Sequence, residues 1–153
     1  MIIDLFSGLG RWESAKEDVI SIDFDPKTRP TIVADIRYLP LKKGLKPQLL
    51  HGSPPCKYFS FARAPEGFHA KGIAESLRLV AAFFDVIDYL EPETWTLENP
   101  IGWLYKLLNQ TMIITKQYDL DKKRTYFYSN NRALARAIIP QNVRNKLLSL
   151  IED

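Results

Sequence analysis

Seven short, β-branched and nearly continuous apolar runs constrain this chain most: residues 2–6, 19–24, 31–34, 49–52, 94–97, 112–118 and 125–128. Runs this short with apolar side chains on both sides of the pleat read as strands covered on both faces, the usual state of parallel strands. Helical stretches fall between them, over 12–16, 73–90, 103–108 and 141–151. The alternation predicts an α/β fold with a mostly parallel seven-stranded sheet and helices on both faces. Residues 119–124 are too few for a crossover helix, so the last two strands should form an antiparallel pair. The apolar positions of 73–90 should face the sheet, and Trp95 and Trp103 read as core.

No repeat, low-complexity tract or Gly/Ser-rich linker divides the chain, which predicts one domain over its 153 residues. A domain of that size buries roughly two thirds of its unfolded surface and stands without disulfides. The single cysteine, Cys56, rules out an internal disulfide and suits a reducing compartment. Met1 leads straight into a strand pattern with no export leader, and no run approaches the roughly 18 apolar residues of a membrane span. The expectation is a cytoplasmic protein with no membrane partner. A formal net charge of +3 permits a nucleic-acid partner and does not demand one.

In an open α/β sheet, ligands bind outside the carboxyl ends of the strands, and there the polar and glycine residues collect. Phe6-Ser7-Gly8-Leu9-Gly10 follows the first strand, and its two glycines allow a sharp turn and close approach to a ligand. The same pair also suits an ordinary strand-to-helix turn. Asp23 ends the second strand, where a carboxylate accepts from ribose hydroxyls or simply sits as a solvated turn acid. Asp35 and Ile36 follow the third, placed for an adenine amino group and ring face. Glu13 occupies the third glycine position of a dinucleotide fingerprint, and its carboxylate would repel a pyrophosphate. A phosphate-free adenosine cofactor such as S-adenosylmethionine meets no such conflict.

Cys56 follows Pro54 and Pro55 at the end of the fourth run. A lone cysteine is commonly a small buried hydrophobe, but two prolines restrict where this thiol points, a rigidity that a core residue does not need. Beyond it, residues 57–71 mix Lys57, Tyr58, Phe59, Phe61, Arg63, Phe68, His69 and Lys71 among small residues. That composition suits a loop that stacks on bases and touches phosphates, or a plain connection with a few packed aromatics.

The motifs Asp4-Leu5-Phe6-Ser7-Gly8-Leu9-Gly10, Ser53-Pro54-Pro55-Cys56 and Leu97-Glu98-Asn99-Pro100, in this order, resemble those of the DNA cytosine-5 methyltransferases. The resemblance covers nearly the whole chain. It implies a Rossmann-like class I methyltransferase fold with S-adenosylmethionine, and no metal, at a site of Phe6, Gly8, Gly10, Asp23, Phe24, Asp35 and Ile36, with Phe24 stacked on the adenine. It also implies that Cys56, behind Pro55, adds as a thiolate to C6 of cytosine and activates C5. Glu98 would hydrogen-bond N3 and the exocyclic amine, and Asn99 would hold the loop. Arg124 would contact O2 or a phosphate, with Lys122 two residues earlier and Lys57 and Tyr58 beside the substrate. For Arg124, in the run Lys122-Lys123-Arg124, a solvated charge cluster is the competing reading.

The chain departs from the family in several places: residues 140–143 only faintly resemble the family's last motif, Arg11 replaces a small residue common after the first motif, and two further departures bear on substrate. Few residues separate Arg124 from the closing helix, where the family inserts a target-recognition region, and Lys57 stands where the family usually has glutamine. The expectation is therefore a minimal catalytic domain acting on DNA, single- or double-stranded. Its specificity would come from weak sequence preference, a homodimer or a partner chain. An RNA cytosine-5 methyltransferase and a non-catalytic methyltransferase-like module are the alternatives.

Overall fold

In a computed structural model, residues 1–8, 18–58, 69–100, 102–108, 113–118 and 124–131 are described. The expected helices over 12–16 and 141–151 lie outside these residues, as do Gly10, Arg63 and Lys122. The strands are β1 (Ile2–Leu5), β2 (Val19–Asp23), β3 (Ile32–Val33), β4 (Leu49–Gly52), β5 (Thr94–Pro100), β6 (Ile113–Tyr118) and β7 (Arg124–Ser129). The helices are α1 (Ala70–Leu90) and α2 (Trp103–Leu108), with 3-10 turns at Pro26–Thr28 and Ile36–Tyr38.

All described strands join one α/β sheet in the order β3-β2-β1-β4-β5-β7-β6. The first five are parallel, and β7 runs antiparallel to both of its neighbours, β5 and β6. The expected antiparallel pair is present, with β7 lying between β5 and β6. Strand order reverses where β1 separates β2 from β4, which opens a crevice at the carboxyl ends of β1 and β4.

Two boundaries differ from expectation for identifiable reasons. β5 continues through Glu98, Asn99 and Pro100 because β7 pairs with them, matching Phe127, Tyr126 and Thr125. Helix α1 begins at Ala70, three residues before 73, because the His69 ring accepts a hydrogen bond from the Gly72 amide (3.0 Å) and caps the first turn.

Of the buried positions of α1, Gly72, Ser76, Val80, Phe83, Val86 and Leu90 recur at three- and four-residue spacing as one stripe, with Ala82 beside it. Val80, Ala82, Phe83, Val86 and Leu90 share a core with Ile3 and Leu5 of β1, Leu50 of β4 and Leu97 of β5. Phe83 is fully buried, which stabilises by about 1.5–3 kcal/mol relative to an exposed ring. It reaches the sheet because Gly52 has no side chain: a Cβ there would stand 2.5 Å from the Phe83 ring. Trp95 packs edge-on against Phe83 and Phe84 as core. Trp103 does not; it is 45 % exposed, with the Lys106 ammonium over its ring. Adjacent residues on a helix point about 100° apart, and in α2 Leu104 takes the buried place while Trp103 faces outward.

Candidate functional site

At the crevice, a cavity of about 220 Å³ is walled by Phe6, Asp23, Phe24, Asp35, Ile36 and Pro55, together with Arg37 and Glu75. Residues from four separate strand ends therefore meet at one place. Phe6 holds a left-handed backbone, φ 56°, which a non-glycine residue rarely adopts. Gly8 follows at φ 53°, and its amide donates to Asp23 Oδ2 (2.9 Å). The Asp25 amide donates to Asp23 Oδ1 (2.9 Å), so the Asp23 carboxylate is fixed in orientation from both sides. Phe24 is 71 % exposed, which leaves a ring face beside the cavity for a ligand to stack on.

Asp35 behaves differently. It caps the following 3-10 turn through the Arg37 amide (2.9 Å) and holds the Arg37 guanidinium in a two-pronged ion pair. That hydrogen-bonded guanidinium keeps the Asp35 carboxyl below its ordinary 3.8. Arg37 also reaches Glu75 of α1 at 3.6 Å. Sequence reasoning missed Arg37 and Glu75. The Asp-x-Arg spacing of a capped turn was the available signal for Arg37, and nothing marked Glu75, which arrives only through helix packing.

The cavity suits a nucleoside. Its volume lies below the roughly 300 Å³ at the small end of pockets that enclose a whole ligand. Its walls combine apolar faces with two strand-end carboxylates that match ribose hydroxyls and an exocyclic amine.

On the other side of Pro55, Cys56 is half-buried and belongs to no disulfide. Its approach is tied down: Pro54 is buried, and Asn99 Nδ2 donates to the Pro54 carbonyl oxygen (3.3 Å). One residue earlier, Ser53 Oγ donates to Glu98 Oε2 (2.9 Å). The strand ends of β4 and β5 are thus laced together by Ser53, Asn99 and Glu98. The two-residue period of a strand extends this lacing inward. His51 and Ser53 lie on one side of β4, Thr96 and Glu98 on the same side of β5, and His51 and Thr96 are partners in register. His51 is 1 % exposed, with Nδ1 2.8 Å from Thr96 Oγ1 and Nε2 3.0 Å from Ser53 Oγ.

Lys57 and Tyr58 lie immediately beyond. Tyr58 stacks on His69 (centroids 5.0 Å apart) and fills the space beside Gly72, where a Cβ would stand 2.5 Å from the ring. Lys57 Nζ lies 5.2 Å from the Tyr58 ring centre. The backbone of Arg124 opens β7, and its side chain lies outside the described residues.

No protein-family model matches the chain. Over 121 residues it is 28% identical to a protein of Frog virus 3 (isolate Goorha) assigned as a DNA (cytosine-5)-methyltransferase, covering 65% of this chain and 53% of that one. Among solved structures, one assigned as a DNA modification methyltransferase encoded within an E. coli prophage superposes with a TM-score of 0.54. It is 18% identical and covers 84% of this chain and 45% of that one. The PH0226 protein of Pyrococcus horikoshii OT3 superposes with a TM-score of 0.50 at 11% identity, covering 84% of this chain and 79% of that one. The chain thus spans about half the length of the viral relative and of the prophage protein. At these identities the structural likeness is one of fold, an α/β architecture that this chain shares with a methyltransferase.

Proposed function

We propose that this chain is an S-adenosylmethionine-dependent methyltransferase acting at C5 of cytosine in DNA, with residues 1–153 forming a class I catalytic domain. What carries the reading is the lacing at the crevice: the Cys56 segment is tied to Glu98 and Asn99 by two side-chain hydrogen bonds, with Pro55 shared between this corner and the nucleoside-sized cavity. The motif resemblance and the 28% identical viral relative support the same substrate.

Phe6, Asp23, Phe24, Asp35 and Ile36 would hold the cofactor's adenosine, with Gly8 and Gly10 at the turn behind it. When bound, S-adenosylmethionine supplies an electrophilic methyl group. Cys56 acts as a thiolate, since the thiolate and not the thiol is the nucleophile. Its sulfur forms a bond to C6, and the ring's electron pair moves to C5, which becomes nucleophilic. Glu98 holds a proton at N3 and accepts from the exocyclic amine, stabilising the charge that develops on the ring. Asn99 keeps the Pro54-Pro55-Cys56 backbone in place. Once C5 is methylated, its hydrogen leaves as a proton while the Cys56–C6 bond breaks, which restores both the ring and the thiolate. Arg124 and Lys122 would meet O2 or phosphate, and Lys57, Tyr58 and Arg63 the flanking nucleotides. A paired cytosine is out of a thiol's reach, so the target is flipped out or already single-stranded.

The test is covalent trapping. The protein, S-adenosylmethionine and 5-fluorocytosine-containing DNA should give a denaturant-resistant adduct that requires both the cofactor and Cys56. Trapping with RNA and not with DNA would replace the substrate; cofactor binding without trapping on either would replace the enzyme by a non-catalytic module.

A further inference from the structure

We propose that His51 is a positioning residue that determines which oxygen of Glu98 carries the acid proton, an inference that rests on the role given to Glu98 above. The argument is one of hydrogen-bond polarity. An ionised carboxylate only accepts, so the Ser53 hydroxyl hydrogen goes to Glu98 Oε2. A hydroxyl has one hydrogen, so Ser53 Oγ must accept from its other close partner, His51 Nε2 at 3.0 Å. His51 therefore bears a hydrogen on Nε2, and the Thr96 hydroxyl at 2.8 Å serves Nδ1. The ring is 1 % exposed, so no solvent rearrangement scrambles this order. In register on the same face, the buried Asp4 of β1 flanks His51 on one side and Thr96 of β5 flanks it on the other.

The consequence falls on Glu98. While Ser53 donates to Oε2, that oxygen is the carbonyl oxygen of the neutral acid, and the acid hydrogen resides on Oε1. Among the described residues Ser53 is the hydrogen-bond partner of Glu98, at Oε2, so Oε1 is the oxygen left to meet ring N3. Without an Nε2–H behind it, the Ser53 hydroxyl is free to turn and accept from a protonated Oε2, which would send the proton away from the base. The two other groups of this chain sit in the strand motif as His51-Gly52-Ser53, two residues apart, which is the spacing that one strand face requires.

Two measurements decide it. The chain has two histidines, His51 and His69, so ring-nitrogen NMR of histidine-labelled protein, with His69→Ala for assignment, reads the tautomer directly; a hydrogen on Nε2 of His51 is expected. In trapping kinetics, His51→Phe and Ser53→Ala should each slow adduct formation on the order of tenfold or more, with affinity for S-adenosylhomocysteine retained as evidence of folding. His51→Gln, which keeps a donor near the Nε2 position, should recover most of the rate. The double variant His51→Phe/Ser53→Ala should be no slower than Ser53→Ala alone. A neutral Nδ1–H tautomer, losses that multiply in the double variant, or an unaffected His51→Phe would overturn this inference while leaving the methyltransferase reading intact. A wild type that never traps would overturn that reading, and the role of His51 with it.

Discussion

Asp23 and Asp35 are two carboxylates on one cavity, and their partners give them different tasks. Asp23 accepts from two backbone amides, those of Gly8 and Asp25, at 2.9 Å each, so its orientation is set before any ligand arrives. Hydrogen bonds to a charged group are worth about 1.5–3 kcal/mol each, and Asp23→Ala removes this anchor together with the proposed ribose acceptor. Isothermal titration should show its affinity for S-adenosylhomocysteine lowered by about 10- to 100-fold, a range that follows from losing one such bond to the ligand. Asp35 is instead held by Arg37, and its pKa is lowered by that side-chain hydrogen bond. A carboxyl whose folded pKa is depressed contributes stability in full above its ordinary 3.8, and the contribution fades as pH falls through the lower folded value. Acid titration of unfolding should therefore show Asp35→Asn losing stability at neutral pH relative to wild type, with the two curves converging only below the ordinary carboxylate range. Curves that stay parallel down to strong acid would deny Asp35 this role. The same pair explains why the cavity was only half legible from residues. Strand-end positions pointed to Asp23 and Asp35, and the Asp-x-Arg spacing was a local signal for the guanidinium that holds Asp35, whereas Glu75 reaches Arg37 from α1 through packing that leaves no local mark.

At the scale of elements, β4 and α1 depend on a missing side chain. A Cβ on Gly52 would meet the Phe83 ring at 2.5 Å, and Phe83 is fully buried with no room to withdraw. Overpacking of this kind costs about 1–3 kcal/mol. Urea unfolding of Gly52→Ala should reveal that loss, and because Ser53 follows directly, trapping by Cys56 should slow as well. Gly8→Ala makes the contrasting case. Nothing lies within 4 Å of the added Cβ, but φ is 53°, so the cost is one of backbone conformation, about 1–2 kcal/mol. It should appear as weaker cofactor binding, because the Gly8 amide orients Asp23. Period and composition made the strands and α1 legible, since apolar runs and a three-to-four spacing are local properties. The extension of β5 through Glu98 and Asn99 was not legible, because it exists only where β7 supplies a partner. The start of α1 was hidden for a related reason: a histidine cap is an uncommon one, and the stacking of Tyr58 on His69 brings together residues eleven positions apart.

For the molecule as a whole, the strand order decides where chemistry happens. With β1 flanked by β2 and β4, the chain leaves these neighbours in opposite directions, and the crevice at their ends gathers Phe6, Asp23, Asp35 and Pro55. Among the described residues, the cavity walls come from β1, β2, the turn after β3, the end of β4 and α1, and none comes from β5, β6 or β7. Glu98 and Asn99, by contrast, belong to β5, whose outer neighbour is β7. On the proposed function, cofactor and target base would be served by opposite halves of one sheet, joined at Ser53 to Cys56. On that reading the cofactor half should bind without nucleic acid. A ligand that binds only the folded state stabilises by about 2.7 kcal/mol at 100 times its Kd, and for a chain of 153 residues each kcal/mol raises Tm by about 2–4 °C. S-adenosylhomocysteine alone should raise Tm by about 5–10 °C, by those two relations. Phe24→Ala should abolish most of the shift by removing the exposed ring beside the cavity, and Glu98→Gln should leave it intact while blocking adduct formation. A shift that appears only when DNA is added would mean that the cofactor wall is completed by the other half of the sheet, contrary to the division drawn from the cavity.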